Sequence, residues 1–236
     1  MSAASPRRKA PVVVSIGGSV LLTGDGDREY LERLAELLAR IGRRTPLAVT
    51  TGGGRTAREY IRLGRALGLT EVELDELGIE VTRLHAHLLA ARIGPPAPTH
   101  PPESIRAAVA ALRNGSPVIL GGTEPGHTTD GVASLLAVRL RAARVVNATD
   151  VDGVYERDPR SDPTARRRDR IRWPAFRAMV ERGSTGEAGQ NFLFDRLGAD
   201  LLSRAAIPLA VVAGRDLPNL ENAITGRQFS GTLIDP

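Results

Sequence analysis

A chain of 236 residues, 42% of them hydrophobic, is long enough to bury the core of one large α/β domain. It contains no cysteine, which excludes disulfides, thiolate catalysis and cysteine-ligated zinc, and no apolar run reaches the length of a membrane span. The formal charge of +5 raises the question of nucleic acid, but aromatics are only 3% and the cations are spread over many segments, so a solvated surface with an anion-binding cleft is the better reading.

Lys9 is the only lysine among 32 cations, so any ammonium duty at a phosphate falls to another group. Residues 2–9 are basic and polar, and only one strand's worth of apolar residues follows, which is not a secretory signal. The cytoplasm is the expected compartment, with neither nucleic acid nor membrane as partner.

Residues 12–16 form an apolar, β-branched run interrupted only by Ser15 and followed by Gly17, Gly18 and Ser19, the pattern of a central parallel strand with a tight exit. Residues 27–41 carry Leu31, Leu34, Leu37, Leu38 and Ile41 on one helical face, and Gly42 closes that helix. A second strand at 47–51 runs into Gly52, Gly53 and Gly54, then a helix with Ala57, Ile61 and Leu63. Glycines between a strand end and a helix start expose backbone N–H groups to an anion. Arg58 on the first turn is placed to clamp a phosphate bidentately, whereas Arg55 reads as a surface residue. Residues 70–93 predict a long helical stretch with a break near Gly78. His85 and His87 point to different sides of it, so they read as packing or surface residues and not as a metal pair.

Another helix spans 104–114, and residues 117–120 predict a buried strand ending at Gly121 and Gly122. A loop of small and hydroxyl residues leads to Thr128, Thr129 and Asp130, where Val132, Leu135, Leu136 and Leu140 set a helical period. Val145 and Val146 mark a short strand whose exit loop, 147–153, lies where open α/β sheets bind ligands. Beyond it, 158–163 is turn chemistry, and the arginine run at 166–172 reads as a solvated face. Residues 183–189 look mobile. Residues 191–206 predict a helix with Leu193, Leu197, Leu201 and Leu202 inward. A strand at 209–212, a short helix at 217–224 and a final edge strand at 232–234 complete the chain. Seven or eight strands alternating with helices give an α/β fold, a three-layer αβα sandwich with a mostly parallel central sheet. No internal repeat is visible.

In order along the chain, the segments 15–21, 51–54 with Ala57 and Arg58, 74–84, 121–123 with 125–130, 148–155 with Asp158 and Pro159, and 231–234 resemble the amino acid kinase superfamily. Within it they are most similar to the archaeal-type UMP kinases. The resemblance implies one domain over 1–236, with an acceptor lobe at about 1–140 and an ATP lobe at about 141–236. It implies ATP-dependent phosphorylation of UMP to UDP, with Mg2+, in a homo-oligomer (hexamer or dimer). Gly52, Gly53 and Arg58 would hold the UMP phosphate, Asp75 the ribose, and Thr82, Thr128 and Thr129 would help seat UMP. Asp130 would orient the transfer machinery, with Gly17, Gly18 and Ser19 at the transferred phosphate. Ser15, Thr149, Asp150, Tyr155 and Asp158 would serve ATP, and Asp195 would assist magnesium.

The chain departs from the pattern at telling places. Ser15 and Asp200 stand where many relatives carry lysines, and His85 replaces a common asparagine. Two other readings therefore stand beside UMP kinase. One is a kinase of another small phosphate, phosphonate or carboxylate; the other is a nucleotide-binding assembly or sensor with weakened turnover.

Overall fold

The computed structural model describes residues 9–24, 26–98, 100–157, 159, 161–183 and 194–236. From the N-terminus come β1 (Val12–Ile16), a single turn α1 (Gly18–Leu21), α2 (Asp27–Gly42), β2 (Leu47–Thr51), α3 (Gly54–Ala66) and α4 (Glu71–Ile93). Then follow α5 (Ile105–Arg113), β3 (Val118–Leu120), α6 (Thr129–Leu140), β4 (Arg144–Thr149), β5 (Val154–Tyr155), β6 (Arg167–Arg168) and β7 (Arg170–Arg172). The chain ends with α7 (Trp173–Gly183), α8 (Arg196–Arg204), β8 (Leu209–Ala213), α9 (Leu217–Thr225) and β9 (Thr232–Asp235).

The main sheet has the order β3-β2-β1-β4-β8-β9-β7, and β5 pairs with β6 in a small antiparallel ribbon. β1 is flanked by parallel neighbours on both sides: Val14 lies opposite Val49 of β2 and Val146 of β4. A strand buried on both faces favours apolar residues, which is why β1 and β2 read as apolar runs broken only toward their ends, by Ser15 and by Thr50 and Thr51. Side-chain alternation then sorts them. Val12, Val14 and Ile16 join the core layer under α2, α4 and α9, whereas Val13 joins the layer under α5, α6, α7 and α8. Ser15, two residues on from Val13, therefore faces α6. Leu34 and Leu38 of α2 are fully buried, and cutting such a leucine to alanine costs about 2–5 kcal/mol.

α4 is unbroken. Thr70 and Glu73 form a reciprocal capping box at its start, and Gly78 sits inside the helix without interrupting it. One glycine costs such a helix about 1 kcal/mol, which a 23-residue element packed on α2, α3, β2 and β3 absorbs.

Three expectations need correction. The strand at Thr232–Asp235 is not an edge, because it lies between antiparallel β8 and parallel β7. The edge is β7, hidden inside the arginine run: Ile171 turns inward while Arg170 and Arg172 stay exposed and pair with Asp235. Charged residues on a short edge strand also discourage pairing with other chains. Finally, Leu197 is 42% exposed, because Asp195 caps α8 in a phase that turns Ala199 and Leu202 inward and leaves Leu201 half-buried. Leu193 lies outside the described residues, as do 184–189 of the segment read as mobile.

Candidate active site

The site forms where β1, β2 and β4 end, on the side where the sheet order reverses around β1. Two glycine turns meet there at closer range than any side chain allows. A Cβ on Gly18 would lie 2.0 Å from the Gly54 nitrogen, and one on Gly52 would lie 2.5 Å from the Gly18 nitrogen. Gly54 also has φ of +58°, so it needs glycine for its backbone as well as its surroundings.

Hydrogen-bond accounting identifies the usable donors. The Gly17 N–H is spent on Ala148 O at 2.9 Å and the Gly52 N–H on Ile16 O at 2.8 Å, both continuing the sheet. Among the described residues no hydrogen bond engages the N–H of Gly18 or Gly53. Gly53 is the N-cap of α3, a helix with no capping side chain and no acid in its first turn, so its positive end is open to an anion. Gly17 and Gly52 thus shape the turns, and Gly18 and Gly53 present the donors.

The α6-facing side of β1 and β2 carries polar groups at its end. The Ser15 hydroxyl donates to Asp130 Oδ1 at 2.6 Å, and Thr50 Oγ1 donates to the Thr129 carbonyl at 3.3 Å. Ser15 is buried, so its reach toward the cleft runs through Asp130. Burial pushes the Asp130 carboxyl up to about 7; Asp195 nearby adds in the same direction, and the Ser15 hydrogen bond opposes both. Thr128 caps α6, accepting from the Gly131 N–H at 3.0 Å while its hydroxyl donates to Asp195 Oδ2. Asp195 also caps α8 through the Gly198 N–H at 2.5 Å. Asp195 therefore ties the starts of two helices together beside Asp130.

Two cavities open around these groups. A cleft of about 710 Å³ is bordered by Gly17–Ser19 and Gly52–Gly54, by Arg58 and Asp130, by the β4 exit loop, and by one face of α7. A smaller pocket of about 170 Å³ lies between α3, α4 and the 122–129 loop. Gly53 and Thr129 border both. Asp75 lines the smaller pocket, and its carboxylate accepts from the Gly126 N–H at 2.8 Å. Thr82 lines it too, but its hydroxyl is committed, donating to Ile79 O and accepting from the Gly122 N–H, both at 2.6 Å. His127 borders the same pocket, and its Nδ1 is buried with no hydrogen-bond partner among the described residues.

Other expected residues fall as follows. Thr149, Asp150 and Tyr155 line the large cleft, with the Tyr155 hydroxyl donating to Asp152 at 2.7 Å. For Asp152, burial works upward, but Tyr155 and Arg167 outweigh it and hold the carboxyl below its ordinary range. Asp158 lies outside the described residues. Arg58 is exposed at the cleft, while Arg55 pairs with Glu59. At one lysine position Asp200 pairs with Arg177 at 2.6 Å, and at the other Ser15 holds Asp130. His85 is buried, and its Nδ1 lies 2.8 Å from the Gly52 carbonyl. Sequence reasoning missed Asn147, Phe176, Met179, Arg182 and Phe194 on the cleft wall. Asn147 carried a signal, a polar residue directly after the apolar Val145 and Val146 at the start of the expected exit loop; the α7 residues carried none, because only the fold brings that helix to the cleft. Among the described residues no group of three or more His, Cys, Asp or Glu is placed to share a metal ion.

A doubly wound sheet with glycine turns at a topological switch defines a nucleotide- or phosphate-handling α/β protein. Residues 10–212 match the model of the amino acid kinase family, and the chain belongs to that family. It is 42% identical over 223 residues to a uridylate kinase from Methanospirillum hungatei, covering 94% of each chain. It is 38% identical over 229 residues to a uridylate kinase from Methanothermobacter thermautotrophicus, covering 95% of this chain and 99% of that one. The crystal structure of uridylate kinase from Archaeoglobus fulgidus superposes with a TM-score of 0.83 at 38% identity, covering 94% of this chain and 99% of that one. UMP kinase from Bacillus anthracis, at 21% identity and a TM-score of 0.77, shares the fold.

Proposed function

We propose that this chain is a uridylate kinase, transferring the terminal phosphoryl group of ATP to UMP to give UDP and ADP. The observation that carries the reading is the pair of cavities meeting at Gly53 and Thr129: one with room for a nucleoside triphosphate, the other for a nucleoside on the acceptor side. The acceptor side belongs to the first lobe, about 1–140, and much of the donor wall to the second. Relatives at 37–42% identity that are named uridylate kinase support the choice of acceptor.

The acceptor phosphate rests against the Gly53 N–H, the open end of α3 and the Arg58 guanidinium. Asp75 and the 122–129 loop receive the ribose and base, with His127 Nδ1 as a polar atom for the base edge. The donor polyphosphate passes Gly18 and Ser19, and its nucleoside lies along the β4 exit loop. The acceptor is already a phosphate oxyanion, so no strong base is needed, and positioning with charge neutralisation supplies most of the rate. Asp130 and Asp195 flank the start of α6, a donor set that fits Mg2+ held chiefly by phosphate oxygens and not by an all-protein cage. When bound, that ion neutralises charge on the transferred group. Ser15 fixes the Asp130 rotamer, and Thr128 fixes Asp195.

A coupled assay with ATP, Mg2+ and each nucleoside monophosphate tests this. UDP formation from UMP, well above turnover of CMP, AMP or GMP, is the expected result. Turnover only of another acceptor, or binding of UMP and ATP without product, would overturn it.

A further inference from the structure

We infer that His85 is a positioning residue for the acceptor phosphate: from the far side of the glycine turn it sets the direction of the Gly53 N–H. The inference rests on the uridylate kinase reading for its kinetics, but its geometry stands on the fold alone.

His85 is buried on α4, and its Nδ1 lies 2.8 Å from the Gly52 carbonyl oxygen. A carbonyl has no proton to give, so the imidazole must carry its hydrogen on Nδ1. The peptide joining Gly52 to Gly53 is planar and trans, so its C=O and N–H point in opposite directions. Fixing the carbonyl toward α4 turns the Gly53 N–H to the other side of the turn. That N–H has no partner among the described residues, and Gly53 borders both cavities.

The bond is needed because the turn is soft. Gly52, Gly53 and Gly54 are successive residues without side chains, and glycine accepts many backbone conformations. The preceding peptide is held by the sheet through the Gly52 N–H on Ile16 O, and the strand end is held by Thr51 Oγ1 donating to Thr82 O at 2.9 Å. Among the described residues the Gly52–Gly53 peptide has only His85. α4 thus grips the turn at two points one helical turn apart, Thr82 and His85, and the same Thr82 holds the Gly122 N–H of the neighbouring loop.

Three variants and one wild-type measurement test this. Asparagine places its amide nitrogen where the imidazole Nδ1 sits, whereas leucine fills the volume without a donor. His85→Leu is expected to raise KM for UMP tenfold or more while KM for ATP stays within threefold, and His85→Asn to stay within threefold of wild type for both. Independently of the true acceptor, the Gly53 amide resonance is expected to shift on titration with inorganic phosphate in wild type and His85→Asn, but not in His85→Leu. If His85→Leu fails to fold, His85→Val, which likewise has no side-chain donor, replaces it, and the tautomer is read in wild type by long-range 1H–15N correlation. A proton on Nε2 with bare Nδ1 would overturn the inference, as would a donorless variant that keeps wild-type KM and phosphate response. Wild type that ignores UMP but shows the phosphate-dependent Gly53 shift, lost in His85→Leu, would overturn the acceptor assignment and uphold this one.

Discussion

Gly17 and Gly18 are adjacent, yet an added methyl group meets opposite fates at the two positions. At Gly18 the new Cβ would lie 2.0 Å from the Gly54 nitrogen, 2.5 Å from its Cα and 2.6 Å from the Gly53 carbonyl carbon. All three are backbone atoms of the facing turn, so no side chain can swing aside. Restoring ordinary contact requires the two turns to separate by roughly 1 Å or more, a displacement of the size that costs on the order of 100-fold in rate when it lies between reacting groups. Overpacking of this kind also costs about 1–3 kcal/mol of stability. At Gly17 the nearest atom is Ala148 O at 3.5 Å, an ordinary contact, and φ of −57° suits any residue. We therefore expect Gly18→Ala to lower kcat/KM for UDP formation by about 100-fold and to lower Tm by several degrees. Gly17→Ala is expected to leave Tm within a degree of wild type. Steady-state kinetics and thermal melts at one pH check both. A Gly18→Ala enzyme with wild-type kcat/KM would refute the idea that contact between the two turns sets the distance between the phosphates.

Arg58→Ala removes a charged clamp that contributes about 1.5–3 kcal/mol, so KM for UMP should rise roughly 10- to 100-fold with KM for ATP little changed; equal losses for both substrates would place Arg58 elsewhere. Asp130→Asn should cut kcat at least tenfold. It also has a pH signature: the Asp130 carboxyl is raised to about 7 in the fold, so wild type gives up stability as pH climbs from the unfolded value near 4 through 7. The unfolding free-energy advantage of Asp130→Asn over wild type should grow across that window, by roughly 2–4 kcal/mol, and stay flat above it; a constant difference in denaturant melts across pH would refute the burial argument. Asp27 has the reverse sign. Burial would raise its carboxyl, but the Thr23 and Gly24 N–H groups and Arg215 outweigh that and hold it at about 2. Its stabilisation, on the order of 2 kcal/mol, is complete above about pH 4 and lost as pH falls toward 2, so Asp27→Asn should flatten the acid limb of a stability profile.

The central strands were legible because β1 and β2 are buried on both faces and are apolar but for Ser15, Thr50 and Thr51. β7 was not, since Arg170-Ile171-Arg172 offers a single inward residue, and one residue carries no period. The place of β9 inside the sheet was equally hidden, because strand order depends on pairing and not on local pattern. At the site, the glycine turns and Arg58 announced themselves by position relative to strand ends and helix starts. The contacts that orient them did not: Ser15 meets Asp130 across 115 residues and His85 meets Gly52 across 33. Such pairs exist only once the crossovers have set which helix lies over which strand. The spacing of His85 and His87 points the two rings apart but gives no hint of what His85 holds.

Because the two cavities share Gly53 and Thr129, they adjoin at those two residues. One molecule bearing both nucleosides on a single polyphosphate tether is therefore expected to span them. Its grip should exceed that of either half alone, since the second nucleoside docks without a further loss of translational freedom. The tether length that binds best would then measure, from outside, how far apart the turns hold the reacting groups.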